Sequence, residues 1–165
     1  MIRSTCILFL LALFFAGCES PSYVYHYVPG RTATIEGNCA IAPPAAPERV
    51  KLAIAAGNRI AGAPYRRGGG HDGTDDGCFD CSGATSYVLH AAGLMDDCMP
   101  SSGFRRFGAS GRGEWIDIYA RRGHVFLVVA GLRFDTGWNR EEEGPRWSTR
   151  SRPADGAVIR HPRGL

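Results

Sequence analysis

"GHVFLVVAGLRFDT", residues Gly123 to Thr136, reads as two strands joined by a very short connection. Val125 to Val129 is an apolar run rich in β-branched and aromatic residues, and Ala130-Gly131 is the natural place for a two-residue turn. With such a turn, Val129 faces Leu132 across the hairpin. His124 then lies opposite Gly137, and Asp135 becomes its diagonal neighbour on the same face, within reach of an aromatic side chain. Thr136 is expected on the other face. One extra residue in the turn would exchange these assignments, because the side-chain period of a strand is two.

Upstream, "CFDCSGATSYVLHAAGL" (Cys78 to Leu94) predicts a helix from about Ser82 to Ala92. Ala84, Tyr87, Val88 and Ala91 fall on one face and Gly93 is placed to end it. Cys81 sits at the N-terminus of that helix, where unpaired N–H groups and the helix dipole stabilise a thiolate. Cys78 lies a turn outside. A cysteine nucleophile also needs a base, and a third group that holds the base in the right tautomer. His124, heading an apolar strand after Arg121-Arg122-Gly123, fits the base. The hairpin register selects Asp135 as the orienting group, with Thr136 and with His161 of "VIRHP" as the other polar choices.

Elsewhere, "PERVKLAIAAGNRIAG" (Pro47 to Gly62) opens with proline and glutamate and places Val50, Ala53, Ile54, Gly57 and Ala61 at helical spacing. "EWIDIYA" and "GAVIRH" add further strands. Helices first and adjacent strands afterwards predict an α+β fold, with the nucleophile-bearing helix packed on an antiparallel sheet. The 165 residues are enough for one domain, and 22 glycines and 10 prolines without a period exclude collagen-like and solenoid repeats. Formal net charge is +3, and of the 19 basic side chains only Lys51 is a lysine. The arginines are scattered and form no aromatic-spaced basic stripe, so they read as a solvated surface and nucleic acid is not an expected partner. His71 beside Asp72, Asp75 and Asp76 lies in a hydrophilic glycine-aspartate loop, and no metal site is expected there. Trp115, Trp138 and Trp147 are candidates for stacking on sugar rings, with at least two expected simply to pack.

The opening "MIRSTCILFLLALFFAGCES" has a basic Arg3, an apolar run from Cys6 to Ala16 and small residues before Cys18. A bilayer span needs about 20 apolar residues, so this run reads as an export signal. "FAGC" (Phe15 to Cys18) resembles the lipobox of bacterial lipoproteins, which implies cleavage before Cys18 and a lipid anchor on its thiol. The expected organisation is a lipoprotein signal peptide at 1–17, an N-terminal arm and linker at 18–46, and the catalytic domain at 47–165. The folded part is expected outside the cytoplasm, held to a membrane through Cys18 and facing the periplasm or cell wall, as a monomer.

Four segments in order, "APYRRGGGHDG", "FDCSGATSYVLHAAGL", "MPSSG" and "GHVFLVVAGLRFDT", resemble those of the NlpC-type papain-like cell-wall peptidases, which cut peptide stems of peptidoglycan. The resemblance spans roughly Arg49 to Thr136. It implies a papain-like core, Cys81 as nucleophile, His124 as base and Tyr65 beside the thiol. Asp80 and Ser82 would help to recognise the amine end of a peptide stem. Arg67 stands where that family often has tryptophan, and the family's usual third position falls on Thr136. No metal or organic cofactor is implied. The same fold supports amidase and acyl-transfer chemistry, and a thiol-disulfide oxidoreductase using Cys78 and Cys81 is the rival from another class. For Cys78 the expectation is a disulfide, with Cys98 as the preferred partner over Cys39.

Overall fold

A computed structural model describes residues 22–71, 77–137 and 143–165. The leader, Cys18, Asp72, Asp75, Asp76 and Trp138 lie outside the described residues. Three short strands come first: β1 (Ser22–Tyr23), β2 (Thr34–Glu36) and β3 (Cys39–Ile41). Helix α1 (Glu48–Ile60) follows, then α2 (Cys81–Ala91) and a single turn, α3 (Ser101–Phe104). The remaining strands are β4 (Ala109–Ser110), β5 (Ile116–Arg121), β6 (His124–Val129), β7 (Leu132–Asp135), β8 (Arg146–Ser148), β9 (Arg152–Pro153) and β10 (Val158–His161). Helices and an antiparallel sheet in one chain make the expected α+β class.

The main sheet has six strands in the order β4-β10-β5-β6-β7-β8, all neighbours antiparallel. Its centre is the hairpin read from the sequence: Val129 pairs with Leu132 and Leu127 with Phe134. The turn has positive φ at both central residues, 46° at Ala130 and 75° at Gly131. That is the twist a two-residue hairpin demands, and it pins the register. The β5–β6 hairpin brings Arg121 opposite His124.

Alternation then divides the sheet into two faces. Ile116, Ile118, Val125, Leu127, Val129, Leu132 and Phe134 belong to the main core, with Val50, Ile54, Val88 and Leu89 from the helices and Phe79 from the segment before α2. Each such burial stabilises by about 1.5–3 kcal/mol. Gly57 of α1 lets this layer close, since a Cβ there would overlap the Trp147 ring. Trp147 in turn packs on Phe134, with ring centroids 4.7 Å apart. Trp115 is also buried, under the Arg31 guanidinium. Both therefore pack, as expected for at least two of the tryptophans.

The opposite face carries Tyr119, Phe126 and Val128 in a smaller cluster with Tyr23 and Ala154. The N-terminal arm covers it and is joined closely to the body. β1 pairs with β9, placing Tyr23 opposite Arg152. Ala33 N donates to Ala130 O at 2.8 Å, and Asn58 of α1 bonds both backbone groups of Ala40.

Candidate active site

Helix α2 begins one residue earlier than the sequence periodicity implied, at Cys81, because Asp80 is its N-cap. The Asp80 carboxylate accepts from Gly83 N at 2.7 Å, from the Ser82 hydroxyl at 2.9 Å and from Gly68 N at 2.9 Å. His71 Nε2 lies 3.1 Å from the same carboxylate and 3.2 Å from Ser82 Oγ. Burial opposes the charge on Asp80. The hydrogen bonds from Gly83, Gly68, Ser82 and His71 outweigh it and hold the carboxyl below its ordinary range.

This cap ties the helix start to the glycine loop. Phe79 N donates to Pro64 O and Asp80 N to Gly69 O, and Tyr65 forms a parallel bridge with Phe79. Gly83 is required because a Cβ would overlap the Gly69 carbonyl. The "DCSG" pattern thus has a physical cause in cap and close approach as well as chemistry.

Tyr65, Cys81 and His124 line one open cavity of about 730 Å³. Cys81 arrives from the helix-covered side of the sheet and His124 from the other, at the end of β6. His124 Nε2 donates to Asp135 Oδ1 across 2.7 Å, which leaves Nδ1 for the thiol. Burial works against a charged imidazole here. The hydrogen bonds and charges of Asp135 and Cys81 prevail and raise His124 to about 9. The helix start leaves the N–H groups of Cys81 and Ser82 without helical acceptors, since Gly83 N and Ala84 N bond the Asp80 side chain and carbonyl.

Asp135 is itself held by groups that sequence reasoning missed. Its Oδ2 pairs with Arg133 Nη1 and Arg152 Nε, each at 3.0 Å, and its Oδ1 also accepts from Thr136 N at 2.8 Å. Arg133 is 1% exposed and Arg152 5%. Burial pushes both guanidinium pKa values down, against the pull of Asp135, and arginine keeps its charge regardless. Tyr23 of the arm completes the support, donating to Gly131 O at 3.0 Å and accepting from Arg133 N at 3.2 Å. Its phenol is pushed up to about 12, mainly by burial, and so keeps its proton. The one sequence signal for Arg133 was a cation inside an apolar strand, two residues before Asp135; Arg152 had none.

Several expectations are corrected. His161 lies in β10 opposite Ala109, with its Nδ1 on Gly111 O at 3.0 Å, and plays no part in holding His124. Thr136 follows the end of β7, so strict alternation no longer governs it, and it lines the same cavity as Cys81. Asp80 and Ser82 are turned into the cap rather than into that cavity, where they do not number among the lining residues. No disulfide joins Cys78 to Cys98; the Cys98 sulfur instead lies 3.9 Å from Gly70 O. Cys39, the other partner considered, is an exposed free thiol. Among the described residues no group of three or more His, Cys, Asp or Glu is arranged to hold a metal. The chain matches no protein-family model, no curated protein and no solved structure.

Proposed function

We propose that the protein is a cysteine hydrolase of amide bonds with a papain-like core, acting on the peptide stems of peptidoglycan. The carrying observation is the 2.7 Å bond from His124 Nε2 to Asp135, in a cavity that also holds the Cys81 thiol at a capped helix start. In this reading the Cys81 thiolate attacks the amide carbonyl and the N–H groups of Cys81 and Ser82 hold the oxyanion. The His124 imidazolium gives its proton to the leaving amine. Neutral His124 then takes a proton from water, whose oxygen attacks the thioester and releases the acid and the thiolate. Asp135 keeps the imidazole in the Nε2–H tautomer and favours its charged form.

The choice of peptidoglycan stems rests on the four sequence segments and their resemblance. The lipid anchor at Cys18, the monomeric state and a position at the cell wall likewise rest on sequence. Digestion of purified peptidoglycan and soluble muropeptides by the chain and by Cys81→Ala, with products read by mass spectrometry, tests the reading. New peptide fragments from the first protein alone would name the bond. Products bearing a transferred acyl group would redirect it to acyl transfer. A reversible Cys78–Cys81 link with no products would replace it by thiol-disulfide exchange.

A further inference from the structure

The cavity over Cys81 and His124 does not end at Tyr65 and Arg67. These two residues also border a second open cavity of about 580 Å³, whose other charged residues are Arg66, Glu143 and Arg146. Arginine dominates both hollows: Arg67, Arg121 and Arg152 stand against Asp155 in the first, and Arg66, Arg67 and Arg146 against Glu143 in the second. Two of these cations have their countercharge. Arg152 is held by Asp135, and Arg146 lies 3.6 Å from Glu143. Arg67 and Arg121 have neither ion pair nor hydrogen bond with any side chain among the described residues, and both face the reactive cavity. Arg121 is placed there by its register opposite His124, and the exposed Arg67 follows two residues after the Tyr65–Phe79 bridge.

Like charges gathered in a concave site raise the local concentration of anions, and the guanidinium fork matches a carboxylate in two-point geometry. We propose that Arg67 and Arg121 are a carboxylate-recognising pair that makes the two cavities one groove for an acidic peptide. Arg121 holds a carboxylate beside the reacting carbonyl and Arg67 holds one at the boundary of the two cavities. This specificity rests on the cysteine-hydrolase reading, and its test separates the two ideas.

The full chain is alkylated with iodoacetate and, separately, with iodoacetamide. The label on Cys81 is read by peptide mass, with the ratio referred to that of a simple free thiol. In Arg67→Gln/Arg121→Gln the preference for the anionic reagent is expected to fall by about tenfold, in line with the loss of hydrogen bonds to a charged group. Arg67→Lys/Arg121→Lys, which keeps the charge, is expected to retain most of it. The same ratio in the chain and the glutamine variant overturns the proposal. In parallel, matched stem peptides with free or amidated carboxyl groups are offered as substrates, and the acid form is expected to have about tenfold higher kcat/KM. Cleavage of both forms at equal rate overturns the carboxylate groove while leaving the hydrolase intact. An arginine-dependent alkylation preference with no peptide cleaved upholds the anion site and removes the hydrolase.

Discussion

The two faces of the β5–β6–β7 sheet are made by alternate residues of the same strands, yet they do different work. Ile118, Val125, Leu127, Leu132 and Phe134 point at the helices and form an apolar layer. Asp117, Tyr119, Arg121, His124, Arg133 and Asp135 occupy the other side by the same register. The buried charges among them are tolerated because each has partners: Asp135 is bonded to His124, Arg133 and Arg152, and Asp117 to Arg112, while Arg121 stands at the open cavity. The helix-covered face supplies stability and positions Cys81 from behind. The arm-covered face carries His124, the proposed base, and the groups that orient it. A strand buried on both sides loses polar alternation, which is why "HVFLVV" reads as a continuous apolar run.

The sharpest way to separate the faces is Cys81→Ala. It is expected to lower hydrolysis by roughly 10⁴-fold or more while leaving the melting temperature nearly unchanged. A variant with residual turnover near that of the parent would remove Cys81 from the chemistry.

Asp135→Asn attacks the other face and should cost both activity and stability. The expected losses are about 10³-fold in kcat/KM and about 3 kcal/mol, because Arg133 and Arg152 stay buried and charged. The pH–rate profile carries the decisive sign. His124 is raised from 6.5 to about 9, so its imidazolium survives through neutral pH and activity falls as pH rises through about 9. In Asp135→Asn that alkaline limb should move down toward 6.5. The same shift contributes stability that is fully present below 6.5 and is lost as pH rises through about 9. Asp80, held below its ordinary range, acts in the opposite direction. Its contribution is present above the ordinary carboxylate range and is lost as acid protonates it.

Two glycine substitutions sharpen the contrast at smaller magnitude. Gly57→Ala meets the Trp147 ring and Gly83→Ala meets the Gly69 carbonyl, so each should cost about 1–3 kcal/mol by overpacking. Only Gly83→Ala should also depress activity, because it displaces the turn that carries Cys81. Equal activity losses in both variants would mean that the helix layer is not merely a scaffold. The smallest effect is expected from Tyr23→Phe, which removes the donor to Gly131 and the acceptor for Arg133 N. Its cost in chemical denaturation should be about 1–2 kcal/mol.

The pieces legible in advance are those set over short sequence distances. The helical spacing of Ala84, Tyr87, Val88 and Ala91 marked the helix with Cys81 at its N-terminus, though not Asp80 as its cap, and a two-residue turn after Val129 dictates which side chains share a face with His124. The α1 periodicity likewise found four of its buried residues, Val50, Ala53, Ile54 and Gly57, but missed Ala56 and Ile60 and included Ala61, which lies past the helix end. The strands β4, β8 and β9 have only two or three residues each and left no periodic signal, and the Cys78–Cys98 pairing drawn from cysteine arithmetic was wrong.

By itself, then, the sequence determined the α+β class, the helix that carries Cys81 at its N-terminus and the hairpin register that sets Asp135 beside His124. Each depends on hydrogen bonds or alternation within a few residues. Tertiary structure alone decided that Arg152 would close on Asp135, that Tyr23 would brace Arg133, and that Arg67 and Arg121 would share a cavity. An arginine looks the same in sequence whether it will be solvated or buried. Its environment is chosen only when chain segments far apart come together and a charge must either find its partner or remain in water.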